Sequence, residues 1–264
     1  MSVCVVIPVY NEINTIKAIL GKVESQEMIS EIIVVDDFSN DGTREVLKEF
    51  ESKPKYKVLY NKKNMGKGAS LRYGFAKAVS DIIIVQDADL EYDPSEYPIL
   101  LNPIIQGKAD VVFGSRFIGG PHRVLYFWHS VFNKLLTLLS NMINNINLSD
   151  MEVCSKVFKR EILNRMTLKS NRFGFEPEFT AKVARLKLRI YEVPIQYHGR
   201  TYKEGKKVNW KDGVAPFWWI LRFSYFDRRH RLNLQIRSLS CRKSVIRHPE
   251  MLTDEWIPAN YLPE

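Results

Sequence analysis

The first half of the chain alternates between short apolar runs and longer segments whose apolar positions recur with helical spacing. The apolar runs are rich in Val and Ile and end at polar residues, which is typical of buried strands. The segments between them space apolar side chains three and four residues apart, as Ile13, Ile16 and Leu20 are. We predict strands at residues 3–7, 31–35, 57–60, 81–85 and 110–113 and helices at 11–25, 41–50, 66–79 and 95–105. This alternation predicts a doubly wound α/β sheet of parallel strands.

The second half is less regular. Helices are predicted at 125–146, 160–166 and 177–186, and strands at 153–158 and 189–193. Neither of the two long apolar stretches, 124–139 and 214–226, contains the ~18 uninterrupted apolar residues that span a bilayer. We interpret the first as an amphipathic helix facing the core. The second is either an aromatic helix packed on the domain or a patch at a membrane surface.

These elements predict a single domain with an amphipathic C-terminal extension. The domain is expected at residues 1–226, with a nucleotide-binding half at 1–116 and an acceptor half at 117–226. A basic and then Pro-containing tail follows at 227–264.

Polar segments follow four of the predicted strands: 10–12, 36–37, 87–89 and 114–116. Because ligands of open α/β sheets bind beyond the carboxyl ends of the strands, we expect these segments to gather along one edge. Asp87, Asp89 and Glu91 alternate in one of them, and clustered carboxylates there suit Mg²⁺ or Mn²⁺. The alternative is an acidic, solvated loop.

Two further segments suggest contacts with a nucleotide. A carboxylate at Asp37 could accept hydrogen bonds from a ribose hydroxyl or a base, or it could belong to a turn. The backbone and lysine of the segment 64–68, at a predicted helix start, could bind an anion. Leu71 stands where a dinucleotide-binding loop needs its third glycine, and the P-loop pattern of a glycine, four spacers and then Gly-Lys-Ser or Gly-Lys-Thr is absent.

The overall charge is strongly positive, with 39 Lys and Arg against 30 Asp and Glu, a net charge of +9. This favours an anionic partner such as a nucleotide, a lipid phosphate, a phospholipid or a nucleic acid. No zinc-finger, RNP or helix-turn-helix pattern supports a nucleic acid. The three cysteines lack the spacing of a zinc site, which favours a reducing compartment. Without a signal-peptide pattern, we expect the protein in the cytoplasm.

Several segments together carry a resemblance to a known family. They are residues 5–12, 34–43, 66–68, 87–91 and 114–116, followed by 149–158, 173–178, 192–195 and 199–206. In order and spacing they resemble the family 2 glycosyltransferases, and most closely the branch of dolichyl-phosphate mannose and polyprenyl-phosphate glucose synthases. The resemblance covers residues 1–225 and implies the GT-A fold, which is Rossmann-like with a mixed sheet.

The resemblance also implies roles for individual residues. Asp89 and Glu91, with Asp87, would bind the divalent cation, Mg²⁺ or Mn²⁺. Arg116, Arg200 and Lys206 match the basic catalytic positions of the family. The donor nucleotide-sugar would be bound by Pro8, Tyr10, Glu12, Asp37 and Asp87. We add Lys67 and Ala88 from the neighbouring segments. Glu176 and Glu178 are also expected to bind substrate.

The implied reaction is an inverting transfer of a hexose from a GDP-mannose or UDP-glucose type of donor. The expected acceptor is a polyprenyl or dolichyl phosphate, with the protein attached peripherally to the cytoplasmic face of the membrane. The alternative is a soluble glycosyltransferase acting on a sugar or another hydroxyl acceptor, which needs a general base. Asp150 is the first candidate for that base, with Glu176 and Glu178 as alternatives. The intact Asp87 and Asp89 argue against a binder that has lost catalysis.

Overall fold

The computed structural model describes residues 1–124, 126–201 and 210–227. Residues Met1–Tyr225 form one compact unit. The strands are β1 (Val3–Val9), β2 (Glu31–Asp36), β3 (Tyr56–Tyr60), β4 (Ile82–Val85), β5 (Val111–Ser115), β6 (Lys156–Lys159) and β7 (Ile190–Pro194). The α-helices are α1 (Ile16–Glu24), α2 (Thr43–Lys48), α3 (Lys67–Lys77), α4 (Tyr97–Ile105), α5 (Phe127–Asn144), α6 (Phe175–Arg185) and α7 (Trp210–Ile220). Short 3₁₀ turns lie at Pro94–Glu96 and Arg160–Arg165, and a π-helical turn follows α7 at Leu221–Phe226.

The described strands form one mixed sheet in the order β3-β2-β1-β4-β6-β5-β7. The first four strands are parallel, as the alternation of strands and helices predicts. The fifth predicted strand does not pair with the fourth, because β6 lies between β4 and β5 and runs antiparallel to both. β7 then adds in parallel to β5. The α/β class and the mixed sheet are therefore confirmed.

The centre of the sheet is buried on both faces. Every residue of β2 and β4 is buried, which explains their continuous Val and Ile runs. Helix α3 lies so close to β1 that a Cβ at Gly74 would stand 2.4 Å from a methyl carbon of Val6. A glycine at this position therefore lets the helix pack directly on the sheet.

The start of α1 differs from the prediction. The helix begins at Ile16 and not at residue 11, because Asn11 adopts a left-handed backbone conformation with φ 53°. The carbonyl of Glu12 then accepts from the N–H groups of Thr15 and Ile16, which closes a turn. This turn leaves the side chain of Glu12 just beyond the end of β1.

Helix α5 packs on the domain with one side only, and several of its apolar residues are exposed. Of its 18 residues, Leu136, Thr137 and Ser140 are buried, whereas Phe127 and Trp128 are 70% and 75% exposed. The sequence pattern shows an amphipathic helix but cannot show which side packs on the domain. No helix in the described part of the chain is both long and apolar enough to cross a bilayer.

The second apolar stretch, 214–226, contains the end of α7 and the π-helical turn. Ile220 and Phe223 are buried, while Trp218 is 56% exposed, so this stretch packs on the domain with one side. Apart from Asp227, the predicted tail at 227–264 lies outside the described residues, and the division into domain and tail stays a prediction.

Candidate active site

The polar segments predicted at strand ends lie at one edge of the sheet. Strands β1, β2, β4, β5 and β7 share one direction, so their carboxyl ends point the same way. Hydrogen bonds and ion pairs connect the segments that follow β1, β4 and β7. The segment after β5 joins them through the contact of Arg116 with the ring of Tyr197, and Asp37 after β2 binds the N–H of Gly66 just before α3. The expected gathering is thus observed, and it includes residues up to 188 positions apart.

Arg200 stands at the centre of this edge and contacts three carboxylate residues. Its guanidinium makes hydrogen bonds of 3.2 Å to each carboxylate oxygen of Glu12 and one of 3.3 Å to Oδ2 of Asp89. Its backbone N–H donates to Oε1 of Glu91 over 2.8 Å. The arginine therefore holds the ends of β1 and β4 and the segment after β7 together.

The acidic groups around Arg200 are close enough to affect one another. Burial, together with the charges of Asp87 and Glu91, raises the pKa of Asp89 to about 7. Burial disfavours the charge of Arg200, but its hydrogen bonds to Glu12 and the charges of Asp89 and Glu91 raise the pKa of the guanidinium overall. The site is thus a concentration of negative charge that a cation stabilises.

Asp87 lies in a second group of charges beside the first. Nζ of Lys67 is 2.9 Å from a carboxylate oxygen of Asp87 and 3.0 Å from one of Glu176. Burial opposes the charge of Lys67, yet the charges of Asp87 and Glu176 raise the pKa of the amine well above its usual value. Lys67 therefore connects the acidic turn after β4 with the first turn of α6.

The predicted set of three metal ligands is not assembled. Among residues 1–124, 126–201 and 210–227, no three His, Cys, Asp or Glu side chains are arranged to hold a metal ion. Asp87 pairs with Lys67, while Asp89 and Glu91 remain together, with the N–H of Glu91 donating to Asp89 over 3.2 Å. Two carboxylates with hard oxygen donors still fit Mg²⁺ or Mn²⁺, because such ions use one or two carboxylates and complete their shell with substrate phosphates and water.

Asp150 is fully buried and bound to Arg116. Its two oxygens accept from Nε and Nη2 of the arginine over 2.6 and 2.7 Å, and Asn133 of α5 donates to it over 3.1 Å. Burial tends to raise the pKa of Asp150, but the charge and hydrogen bonds of Arg116 lower it overall. A buried carboxylate that is held in its charged form by an arginine is a weak proton acceptor. This geometry does not favour Asp150 as a general base, and it places the carboxylate behind Arg116 as a support.

Tyr197 connects the two arginines of the site. The guanidinium of Arg116 lies 5.1 Å from the centre of the Tyr197 ring, and the phenol donates to Oε2 of Glu91 over 3.0 Å. The pair of Arg116 and Asp150 is thereby linked to the carboxylates that surround Arg200. Tyr197 was not predicted as a site residue, because nothing in its local spacing distinguishes it from other tyrosines.

The two alternative bases are also engaged by the protein. Glu178 is fully buried and accepts from the N–H groups of Lys169 and Ser170, and it pairs with Lys182. Glu176 is nearly buried and pairs with Lys67. Glu178 therefore fixes the loop before α6, a structural contact that does not favour its prediction as a substrate-binding residue or base.

The segment before α3, where the sequence predicts an anion site, binds the carboxylate of Asp37. Asp37 accepts from the N–H groups of Met65 and Gly66 over 2.8 and 2.7 Å, so its carboxylate is bound to the protein. The amides of Gly68 and Ala69 donate to the backbone carbonyls of residues 172 and 171. Because these amides are satisfied by protein oxygens, the geometry does not favour an external anion there, and the contribution of Lys67 to substrate binding stays a prediction.

The remaining predicted residues have simpler positions. Pro8 lies within β1 opposite Val35, Tyr10 is 41% exposed just after that strand, and Ala88 is buried between the two Asp residues of the acidic turn. Lys206 lies outside the described residues. Tyr10 therefore presents an exposed ring at the site edge.

The carboxyl group of Glu152 is buried near Arg116, and the sequence did not mark it as a candidate site residue. Oε1 of Glu152 is buried and has no hydrogen-bond partner among the described residues. Burial and the nearby charge of Glu176 raise the pKa of Glu152 to about 8, so it is largely protonated near neutral pH. Fully buried Lys156 lies close by, and burial lowers the pKa of its amine. No sequence signal marks a glutamate as buried, which is why this group was missed.

Comparisons with known proteins agree with this arrangement. A solved structure of glucosyl-3-phosphoglycerate synthase from Mycobacterium tuberculosis, in complex with Mn²⁺, UDP and phosphoglyceric acid, superimposes with a TM-score of 0.67 at 19% identity, covering 85% of this chain and 78% of that one. Another structure of that synthase contains Mg²⁺ and UDP. The mixed sheet with its acidic edge is therefore a GT-A fold, the architecture of a class of glycosyltransferases.

Sequence comparison identifies the family. The family model described as glycosyl transferase family 2 matches residues 4–167, and the chain belongs to this family of enzymes. An undecaprenyl-phosphate mannosyltransferase from Micrococcus luteus is 30% identical over 218 residues, covering 78% of this chain and 87% of the relative. A dolichol-phosphate mannosyltransferase from Pyrococcus furiosus is 37% identical over 122 residues, which cover 46% of this chain and 34% of that protein.

Proposed function

We propose that this glycosyltransferase transfers a hexose from a GDP-mannose or UDP-glucose type of donor to a polyprenyl or dolichyl phosphate at a membrane surface. The observation that carries the proposal is the contact of Arg200 with Glu12, Asp89 and Glu91, beside the guanidinium of Arg116. The similarity to an undecaprenyl-phosphate mannosyltransferase and a dolichol-phosphate mannosyltransferase supports this choice of acceptor.

The donor diphosphate would be bound at the carboxylates around Arg200. Asp89 and Glu91 would hold Mg²⁺ or Mn²⁺, and the charge of this ion would stabilise the diphosphate leaving group. Arg200 already lies among these carboxylates, so its guanidinium is placed to contact the same phosphates. The exposed ring of Tyr10 gives the nucleoside a surface to pack against at the end of β1.

The acceptor phosphate would be bound by Arg116. Its side chain is 16% exposed, and Asp150 fixes its orientation through two hydrogen bonds. A phosphate monoester is anionic near neutral pH, so its oxygen can attack the anomeric carbon without a general base. The new bond forms to that carbon as the bond to the diphosphate oxygen breaks, which inverts the configuration. The low pKa and full burial of Asp150 agree with a reaction that needs no base at this position.

The test is a transfer assay with the purified full chain. Radiolabelled GDP-mannose and UDP-glucose are each offered with undecaprenyl phosphate, dolichyl phosphate, free sugars and 3-phosphoglycerate, with Mn²⁺, Mg²⁺ or a chelator. We expect a labelled lipid that mild acid hydrolyses, and its loss in the variant Asp89→Asn. The matched control is Asp81→Asn, an exposed carboxylate just before β4, at the opposite end of the strand from the site.

Two results would contradict the proposal. Transfer to a free sugar or to 3-phosphoglycerate, with none to either lipid phosphate, would favour a hydroxyl acceptor. Lipid transfer that Asp89→Asn leaves at the rate of Asp81→Asn would show that the acidic edge is not the donor site.

A further inference from the structure

The segment that holds Arg116 in place is itself bound by a carboxylate from β7. Glu192 lies in the middle of this strand, opposite Phe113 of β5. Its carboxylate accepts from the N–H groups of Ser149 and Asp150 over 2.9 and 3.1 Å, and from the hydroxyl of Ser149 over 3.0 Å. One side chain of β7 thus fixes two consecutive residues of the segment before β6.

The first connection from Glu192 to Arg116 passes through Asp150. Glu192 binds the backbone N–H of Asp150, whose side chain accepts from two nitrogens of the Arg116 guanidinium. The backbone N–H of Arg116 also donates to this carboxylate, over 3.2 Å. An aspartate orients an arginine only as well as its own backbone is held, and Glu192 supplies a contact that holds it.

A second connection passes through two serine hydroxyls. Because the hydroxyl of Ser149 donates to Glu192, it accepts from the hydroxyl of Ser115, with 2.5 Å between the two oxygens. The Ser115 oxygen accepts in turn from the N–H of Phe117 over 3.1 Å. Ser115 and Phe117 flank Arg116 in the chain, so this connection fixes the backbone on both sides of the arginine.

A contact of the same kind occurs at the opposite edge of the sheet, away from the site. Glu31, at the start of β2, accepts from the N–H groups of Val79 and Ser80 over 3.1 and 3.2 Å and from the hydroxyl of Ser80 over 2.9 Å. It also pairs with Lys57 over 2.6 Å. The two glutamates share this chemistry, but Glu31 binds the turn before β4, whereas Glu192 binds a segment of the site.

We propose that Glu192 is a positioning residue for the acceptor phosphate. By fixing the backbone of Asp150 and both neighbours of Arg116, its carboxylate holds the guanidinium in the orientation that binds the phosphate. The proposal rests on the proposed function, because it is there that Arg116 is assigned to the acceptor. Glu192 acts through Asp150 and the two serines and touches no substrate atom in this role.

The first experiment compares the full chain with Glu192→Gln and with the matched control Glu31→Gln in the transfer assay. The amide replaces one acceptor oxygen by a donor, so at least one group that binds Glu192 loses its partner. We expect KM for the lipid phosphate to rise by ~10-fold in Glu192→Gln, the effect of about one such hydrogen bond, with KM for the donor unchanged. Glu31→Gln should keep both KM values, although it loses stability as well.

Two more variants separate positioning from folding. Ser149→Ala removes the hydroxyl connection but leaves the backbone contacts of Glu192, so KM for the lipid phosphate should rise by only ~3-fold. In the Asp150→Asn background, Glu192→Gln should raise this KM by clearly less than ~10-fold, because both residues act on the same arginine.

The orientation of Arg116 can also be followed without any substrate. Its Nε–H donates to Asp150 over 2.6 Å, so this proton should exchange slowly with water and be visible in a nitrogen-edited NMR spectrum, where its absence in Arg116→Lys assigns it. Exchange should be ~10-fold faster in Glu192→Gln and unchanged in Glu31→Gln. If this result holds but no lipid phosphate accepts sugar, the proposed function fails and the positioning of Arg116 by Glu192 stands.

Four results would overturn the positioning role. They are an unchanged KM for the lipid phosphate in Glu192→Gln, an equal rise of this KM in Glu31→Gln, effects of Glu192→Gln and Asp150→Asn that multiply, and an Nε–H of Arg116 that exchanges at the parent rate in Glu192→Gln. A rise in KM that is equal for donor and lipid phosphate would also contradict it, because Glu192 would then support the site as a whole.

Discussion

Replacing Asp150 with asparagine separates the two roles that this residue could have. The structure shows a fully buried carboxylate with two short hydrogen bonds to Arg116, at 2.6 and 2.7 Å. Asp150→Asn keeps the size of the side chain but leaves the partly buried guanidinium without its counter-ion. Breaking such a buried pair costs ~3–5 kcal/mol. For a chain of this length the melting temperature should fall by roughly 10 °C.

The stability loss should depend on pH in a definite direction. Arg116 lowers the pKa of Asp150 below that of an unfolded aspartate, so the pair stabilises the fold fully above about pH 4. As the pH falls towards the lower folded-state pKa, this contribution disappears. The difference in melting temperature between parent and Asp150→Asn should therefore shrink in acid.

Kinetics with a lipid-phosphate acceptor then distinguishes support of Arg116 from base catalysis. If Asp150 only positions Arg116, the variant should mainly raise KM for the acceptor and leave the shape of the pH profile unchanged. If it is the base, kcat should fall by ~10²–10⁴-fold and the acidic limb of the profile should disappear. The second outcome would refute our interpretation of the pair.

An exposed ion pair between α1 and the end of α2 provides the control. Nζ of Lys17 lies 3.0 Å from Oε2 of Glu49, and the two side chains are 69% and 57% exposed. Because exposed pairs contribute only ~0–1 kcal/mol, Glu49→Gln should cost little stability and leave KM for the acceptor unchanged.

Two further predictions concern the packing and charges next to the site. A Cβ at Gly68 would stand 2.6 Å from the carbonyl oxygen of Ser170, so Gly68→Ala should lower the free energy of unfolding in urea by ~1–3 kcal/mol. A Cβ at Gly21 would meet nothing within 4 Å, so the control Gly21→Ala should raise it by ~0.5–1 kcal/mol. Equal effects of the two variants would contradict the close packing at Gly68. Lys67→Met should lower the free energy of unfolding by ~3–5 kcal/mol, because the largely buried carboxylates of Asp87 and Glu176 lose their cation. Lys17→Met, in an exposed pair, should change this free energy by less than ~1 kcal/mol. A small effect at both positions would show that the buried charges around Lys67 are not needed for stability.

The sequence predicts the sheet edge well because the relevant information is local. Apolar runs that end at Asp87 or at Gly114 mark both the strand and its carboxyl end. The common direction of parallel strands then brings these ends together without any knowledge of side-chain contacts. The family resemblance supplies Arg200, which no local pattern relates to this edge.

The sequence does not predict contacts that depend on tertiary packing. The insertion of β6 between β4 and β5 reverses one strand, and a pattern of apolar residues carries no direction. The amides at the start of α3 look available in the sequence, but Asp37 and the loop before α6 bind them. The exposure of Phe127 and Trp128 on α5 is likewise decided by packing, because an amphipathic pattern does not show which side meets the domain.

The most direct test of the central claim is binding of the donor's nucleoside diphosphate to the acidic edge. Melting temperature is measured with UDP or GDP, with and without Mn²⁺, for the parent, Asp89→Asn and Asp81→Asn. A ligand at about 100 times its Kd stabilises by ~2.7 kcal/mol, so the parent and Asp81→Asn should melt roughly 5–10 °C higher with one nucleotide and Mn²⁺. Asp89→Asn should show no such increase. No increase in the parent with either nucleotide, or an equal increase in Asp89→Asn, would contradict the account.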